Sequence, residues 1–273
     1  MTLREAWQKG ARLLDSAGIP DAPLESELLL RYSLGLSRTG FFSCWQEPVP
    51  SLRLRRFRVY LRRRQRREPA AYILKRREFY GLEFYVDRRV LIPRPETELL
   101  VEKALEVAGG RPLRVAEVGV GCGAVAIALA HHLPRARIWA TDISLEALQV
   151  ARRNRRRYRL GRRVHLLPGD LLLPVPGLVD LIVSNLPYVR DADIPGLPPE
   201  VRDYEPLPAL RGGPDGLDVV RRLVAQAPAR LRPGGWLLFE VGQGQAEVAC
   251  GLVREALGGV GVGGQRRDSQ GGR

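Results

Sequence analysis

From Gly110 onward, strand-sized apolar runs alternate with helix-sized segments, and this alternation restricts the fold more than any other feature of the chain. The runs lie at 113–118, 137–141, 164–167, 179–184 and 236–241. Helix-sized stretches at 123–132, 144–158, 215–231 and 243–257 separate most of them. Parallel strands cannot be joined by a tight turn and need a long crossover, usually a helix. The pattern therefore predicts an α/β fold, a mainly parallel sheet with helices on both faces. A ligand of such a sheet lies beyond the carboxyl ends of the strands.

The chain before this point has a different texture. Thr2 and Glu5 form a capping box, and Gly18 stops the helix they start. Asp21 followed by Pro23 opens a second helix that ends near Gly35, and Ser51 caps a third that carries Leu52, Leu54, Phe57, Val59, Tyr60 and Leu61 among arginines. Three short amphipathic helices of this kind form a small bundle. From Tyr72 the pattern changes again. Phe79-Tyr80-Gly81-Leu82-Glu83-Phe84-Tyr85-Val86 reads as a β-hairpin around a glycine, and the two prolines of Leu91-Ile92-Pro93-Arg94-Pro95-Glu96-Thr97-Glu98 then break regular structure. The expected division is a helical domain at 1–70, a connector with the hairpin at 71–95, and the α/β domain at 96–273. In the Gly/Arg-rich tail only Val260 and Val262 remain for a closing strand.

Composition narrows the setting. Three widely spaced cysteines (Cys44, Cys122, Cys250) form neither a disulfide framework nor a CxxC metal motif, and the N-terminus lacks the apolar core of a secretory signal. No apolar run approaches the roughly 20 residues of a membrane span. A cytoplasmic protein is expected. The net charge of +14 comes from a chain in which 41 of 44 basic residues are arginine and only two residues are asparagine. That bias suits a GC-rich, thermophilic genome. Two arginine clusters, at 53–67 and 152–163, could steer an acidic protein or an RNA to the surface, although the second lies on and after an expected helix, where a solvated face is the favoured account.

The first run ends in Glu117-Val118-Gly119-Val120-Gly121-Cys122-Gly123-Ala124. Alternating glycines allow a tight turn and close approach to a ligand. The spacing also satisfies G-x-G-x-x-A, so a nicotinamide cofactor competes. Asp142, after the second run, is placed to accept hydrogen bonds from ribose hydroxyls, which both cofactor classes possess; the alternative is a helix N-cap, for which Ser144 competes. Glu117 separates the two classes. A carboxylate there repels a pyrophosphate and attracts the cationic amino acid end of S-adenosylmethionine. The expected cofactor contacts are Glu117, Gly119, Val120, Gly121, Cys122, Gly123 and Asp142. Asp170 is added for the adenine amino group, against a plain turn role.

Ser184-Asn185-Leu186-Pro187-Tyr188 follows the fourth run. Together with the Arg94–Glu98 and Gly212–Leu217 stretches (Arg94-Pro95-Glu96-Thr97-Glu98 and Gly212-Gly213-Pro214-Asp215-Gly216-Leu217), the helical N-terminal unit and the glycine loop, this segment resembles the release-factor glutamine methyltransferases. The resemblance implies a Rossmann-like, seven-stranded methyltransferase sheet and an S-adenosylmethionine-dependent enzyme of translation termination. Its expected substrate is the side-chain amide nitrogen (N5) of the glutamine in a release factor's Gly-Gly-Gln motif. Asn185, Pro187 and Tyr188 are the expected catalytic residues; Asn185, Leu186, Pro187 and Tyr188 bind the target, with Asn185 also at the cofactor. Where the family has its first proline this chain has Leu186, which removes rigidity and is expected to narrow the slot for the target.

The chemistry is direct. An amide nitrogen is a poor nucleophile because its lone pair is delocalised. The Asn185 side-chain oxygen and the Leu186 carbonyl can each accept one N–H, favouring a pyramidal nitrogen aimed at the methyl group. Pro187 stiffens the turn and Tyr188 offers a flat face. No metal is expected, since His131 and His132 are adjacent and cannot face one site. An N6-adenine methyltransferase of DNA or RNA is the alternative, because its target amino group poses the same lone-pair problem; no nucleic-acid-reading module is recognisable, and direct nucleic-acid binding is not expected. The expected partner is a release factor, bound by a monomer with the N-terminal unit as the docking domain.

Overall fold

The computed structural model describes residues 1–258. Val260 and Val262, the residues left for a closing strand, lie outside the described residues. The chain divides into two compact units, Met1–Lys75 with Pro198–Tyr204, and Arg76–Leu197 with the chain from Glu205 onward. The membership of 198–204 in the first unit is not legible in the sequence.

The first unit is helical: α1 (Leu3–Asp15), α2 (Ala22–Leu34), α3 (Arg38–Ser43), α4 (Ser51–Gln65) and α5 (Ala70–Leu74). The Thr2/Glu5 capping box is present in both directions, with Thr2 Oγ1 accepting from Glu5 N at 3.2 Å and Thr2 N donating to Glu5 at 2.9 Å. Three helices were expected and two short ones are added. The first is α3, capped by Ser37. The second is α5, whose five residues are too few for a periodic signal. Asp21 sits in the left-handed region and makes no side-chain cap, and Pro50 rather than Ser51 is the cap of α4. Leu14, Leu29, Leu30, Phe41 and Phe57 are fully buried. Each such side chain contributes roughly 1.5–3 kcal/mol of transfer free energy. Gly10 lets α1 approach closely, since a Cβ there would lie 2.6 Å from Phe57 Cζ and against Ser26 Oγ.

Part of the first arginine cluster is internal structure rather than a steering surface. Arg64, only 4% exposed, pairs with Glu25 (2.8 Å) and Glu200 (3.0 Å). Arg63 holds Glu68 through two bonds, and Arg67 reaches Glu200 and the Gly18 carbonyl. A buried arginine keeps its charge, so burial forces partners upon it.

The second unit begins with a hairpin, β1 (Arg77–Phe79) and β2 (Leu82–Phe84), turned by Tyr80 and Gly81 at φ +50° and +70°. Positive φ at both loop residues matches the twist of the flanking strands. Next come α6 (Glu98–Ala108), β3 (Arg114–Val118), α7 (Ala124–His132), β4 (Arg137–Asp142), α8 (Leu145–Arg157), β5 (Val164–Pro168), β6 (Val179–Asn185), helix Asp218–Gln226, β7 (Leu231–Glu240) and helix Ala246–Leu257. The sheet is parallel throughout, in the order β5-β4-β3-β6-β7. This sheet has five strands among the described residues, where the resemblance implied seven. The helix expected at 215–231 is shorter than its apolar pattern because Pro228 cannot continue an α-helix and the chain tightens into the 3₁₀ turn Ala227–Ala229. No described helix is long and apolar enough to cross a membrane.

The strand order reverses between β3 and β6. After β3 the chain builds outward through β4 and β5, then returns to the other side of β3. A crevice opens at such a switch point. The ends of β3 and β6 are bound side by side: Val118 pairs in register with Ser184, whose buried hydroxyl donates to the Val118 carbonyl at 2.7 Å.

Candidate functional site

The loop leaving β3 is held from below by β4. Gly119 N and Val120 N both donate to the Thr141 carbonyl, at 3.0 and 2.9 Å, and Gly121 N donates to the Asp142 carboxylate at 2.9 Å. Gly119, Gly121 and Gly123 all have positive φ (+76°, +52°, +86°), a conformation that penalises any residue with a Cβ. At Gly123 a side chain would also meet Ile127 at 3.1 Å and Ala151 at 3.5 Å, so this glycine lets α7 and α8 come together under the loop.

The two acids of this loop differ in character. Glu117 is 3% exposed, accepts a bond from Ala126 N at the start of α7, and leaves Oε2 without a hydrogen-bond partner. Burial raises its pKa well above the usual carboxylate range, and neighbouring Asp142 raises it further. An unpartnered oxygen on a buried acid is costly unless a donor or cation completes it. Asp142 ends β4 and accepts from Gly121 N and Ser144 N. Burial lifts its pKa, and the backbone donors oppose the rise. The helix cap is Ser144, which accepts from Ala147 N at 3.1 Å, so the N-cap alternative for Asp142 does not hold. Ile143 beside it is 73% exposed, a large apolar side chain left in the open. Asp170 follows β5 and is ion-paired with Arg222. The structure thus brings Glu117, the glycines and Asp142 together, while the Asp170 carboxylate is engaged elsewhere.

Cys122 is buried and its thiol is pushed up to about 12 by burial. Its carbonyl accepts a bond from Asn154 Nδ2 at 2.8 Å. Asn154, fully buried on α8, also bonds Tyr85 N and Tyr85 O, tying the segment after the hairpin to the loop. Asn154 and Asn185 are the two asparagines of the chain, and their scarcity is a signal that marks both.

The 185–188 turn leaves the end of β6. Asn185 Nδ2 donates to Thr97 Oγ1 (2.9 Å), Thr97 Oγ1 donates to Glu240 Oε2 (2.8 Å), and the Tyr188 hydroxyl donates to Glu240 Oε1 (3.0 Å). Glu240 stands opposite Asn185 at the end of β7. Burial raises the pKa of both Tyr188 and Glu240. Leu186 does not narrow an open slot: it is 4% exposed and packs into the core beneath the sheet ends, 3.5 Å from where a Cβ on Gly119 would be. Leucine in place of a proline ring is therefore accommodated by burial. The same virtual Cβ would lie 3.6 Å from the Asn185 carbonyl oxygen, so the turn adjoins the glycine loop.

The 212–217 stretch buttresses this turn. Gly212 N donates to the Val189 carbonyl at 2.8 Å, and Asp191 N donates to the Gly213 carbonyl at 3.0 Å. Gln245 Nε2 donates to the carbonyls of Tyr188 (2.9 Å) and Asp215 (3.0 Å). A Cβ on Gly216 would fall on Gln245 Nε2 and the Tyr188 carbonyl. Arg94, next along the proline-rich segment, is ion-paired at 2.5 Å with buried Glu205, whose other oxygen accepts from Ile92 N. Sequence reasoning missed Thr97, Glu240 and Gln245 as members of the site. The first lay inside a segment already noted, but nothing in spacing joins residues 97, 185 and 240.

Comparison with known proteins places the chain in a family. The PrmC N-terminal domain family matches residues 5–74, and the methyltransferase small domain family matches residues 95–195. A release factor glutamine methyltransferase of Geobacter sulfurreducens is 45% identical over 247 residues, covering 90% of this chain and 85% of that protein. One of Moorella thermoacetica is 43% identical over 256 residues, covering 93% and 90%. Among solved structures, the hMettl16 catalytic domain in complex with MAT2A 3'UTR hairpin 6 aligns at a TM-score of 0.55 over 69% of this chain and 71% of that one; at 19% identity this is a likeness of fold alone. Identity above 40% that runs through the helical unit as well as the sheet reflects shared descent rather than a shared architecture, and the chain belongs to the release factor glutamine methyltransferase family.

Proposed function

We propose that this protein transfers a methyl group from S-adenosylmethionine to the side-chain amide nitrogen of the glutamine in the Gly-Gly-Gln motif of peptide chain release factors. The observation that carries the reading is the Asn185 carboxamide, anchored through its nitrogen on Thr97 at the end of β6, beside the glycine loop.

The residues of the loop fit the methyl donor. Glu117 offers a buried acid with an unpartnered oxygen to a cationic amino group, Asp142 offers a carboxylate to ribose hydroxyls, and Ile143 offers an exposed apolar side chain to a flat ring. Gly119, Val120, Gly121, Cys122 and Gly123 supply a backbone that a ligand can approach closely. Asp170 is the weaker contact, because Arg222 already holds its carboxylate. When bound, S-adenosylmethionine supplies a methyl group activated by a positively charged sulfur.

Asn185 Oδ1 accepts one N–H of the target amide and the Leu186 carbonyl accepts the other. Two acceptors set at an angle draw the nitrogen out of conjugation and stabilise the positive charge it develops, a differential interaction of the kind that lowers barriers. Pro187 limits the turn to one backbone conformation, and Tyr188, held by Glu240, supplies a flat wall. Water suffices to take the surplus proton after transfer. The first unit docks the substrate, and the enzyme works as a monomer in the cytoplasm; its three cysteines are free thiols, in keeping with a reducing compartment. The test is incubation with isotopically labelled methyl donor and a purified release factor, then mass spectrometry of the tryptic peptide. Label on the motif glutamine is the expected result; label confined to nucleic acid in a competition with RNA and DNA would replace this reading by the adenine alternative.

A further inference from the structure

We propose that Thr97 and Glu240 form a polarity lock that dictates which end of the Asn185 carboxamide faces the methyl acceptor. The inference rests on the function proposed above and deepens it by adding two positioning residues.

An asparagine carboxamide is nearly symmetrical in shape but opposite in polarity at its two ends. A flipped Asn185 would present an NH2 to the target NH2, donor against donor, and the turn would lose its chemistry with no change in shape. Something must break the symmetry. The Glu240 carboxylate, when ionised, can only accept, and it receives the hydroxyl protons of both Thr97 (2.8 Å) and Tyr188 (3.0 Å). Having given its proton to Glu240, Thr97 Oγ1 can only accept on its other side. The atom of Asn185 at 2.9 Å must then be the nitrogen, and the oxygen takes the other position of the planar amide. Polarity is passed from a charged acid to a neutral carboxamide through one hydroxyl.

The geometry resists easy substitution. Thr97 is 4% exposed, and Glu240 is paired across the sheet with Asn185 itself, so the three groups are fixed by the backbone of two strands and the turn before α6. Thr97 ends the Pro95–Thr97 turn and is the N-cap position of α6, so the start of that helix sets its hydroxyl against the ends of β6 and β7. The charged and titratable groups around Glu240 are Tyr188, Glu96 and Arg94. Burial raises the Glu240 pKa; the Thr97 and Tyr188 hydroxyls hold it down, Glu96 raises it and Arg94 lowers it. Protonated Glu240 gains a proton to donate, Thr97 is released to donate towards Asn185, and the bias on the amide is lost.

Three variants test the lock: Thr97→Val removes the hydroxyl at equal volume, Thr97→Ser keeps it, and Glu240→Gln keeps the shape but adds donors. With release factor and labelled methyl donor, kcat should fall about tenfold in Thr97→Val and about a hundredfold in Glu240→Gln, while KM and calorimetric affinity for S-adenosylmethionine stay within about threefold. Thr97→Ser should retain most of the activity. Because the chain has two asparagines, selective 15N-asparagine labelling gives two side-chain amide pairs, with Asn154 as internal control. The Asn185 pair should shift in Thr97→Val and Glu240→Gln and follow Glu240 protonation in the wild type. Wild-type kcat in Thr97→Val, equal losses in Thr97→Val and Thr97→Ser, or an Asn185 pair indifferent to both lock variants would overturn the proposal. A wild-type enzyme that leaves release factors unmethylated would refute the proposed function instead, and the amide spectra would still decide the lock.

Discussion

Replacing Gly216 by alanine isolates the buttress behind the reacting turn. The new Cβ would stand well inside 3.0 Å of both Gln245 Nε2 and the Tyr188 carbonyl oxygen, and 3.2 Å from the Tyr188 carbonyl carbon. Gly216 also has φ +82°, so alanine incurs roughly 1–2 kcal/mol of backbone strain before any contact is considered. Relief requires Gln245 to swing away, which breaks its bonds to the carbonyls of Tyr188 and Asp215 at about 1 kcal/mol each. The expected total is about 3–4 kcal/mol of stability, read from the denaturant midpoint at unchanged m-value. Tyr188 is the last residue of the turn, so a displacement of about 1 Å there should lower kcat on the order of 100-fold. Calorimetry should find S-adenosylmethionine affinity nearly intact, because the glycine loop is held by Thr141 and Asp142 and not by Gln245. A Gly216→Ala protein within about 0.5 kcal/mol of wild type and fully active would show that the 212–217 stretch does not support the turn, and the reasoning would fail.

Asn185→Ala should abolish transfer while leaving S-adenosylmethionine affinity within a few fold; equal loss of both would make Asn185 chiefly a cofactor residue. Asp142→Ala should weaken S-adenosylmethionine binding by roughly 1–3 kcal/mol through unpaired hydroxyls, and an unchanged calorimetric isotherm would remove Asp142 from the site. Asp87 predicts a pH dependence of stability. Burial alone would raise its pKa, but hydrogen bonds from the Arg89 side chain and backbone and from the Tyr85 hydroxyl outweigh it and bring the value from 3.8 to about 2. The unfolded state then binds the extra proton first, so about 2 kcal/mol is fully present above pH 4 and lost as pH falls towards 2. Asp87→Asn should flatten that part of the stability curve, and identical acid titrations of the two proteins would contradict the assignment.

Local signals were legible where the physics is local. Capping at Thr2, the hairpin around Gly81 and the strands of the sheet follow from side-chain pattern and backbone freedom within a few residues. Helix ends were less legible, since Pro228 cuts short a pattern whose apolar period runs on. The short helices α3 and α5 were missed because one or two turns carry too few residues for a period to emerge.

The sequence by itself determined the parallel α/β layout, the glycine loop with its acids, and the turn beginning at Asn185, because each is written in contiguous residues whose conformational preferences act at short range. Only the tertiary structure decided that Leu186 turns into the core, that Arg222 occupies Asp170, and that Thr97 and Glu240 converge on Asn185. These are meetings of residues as many as 143 positions apart, created by the reversal of strand order at β3. Hydrogen-bond partnership depends on distance and angle, which a linear spacing does not encode.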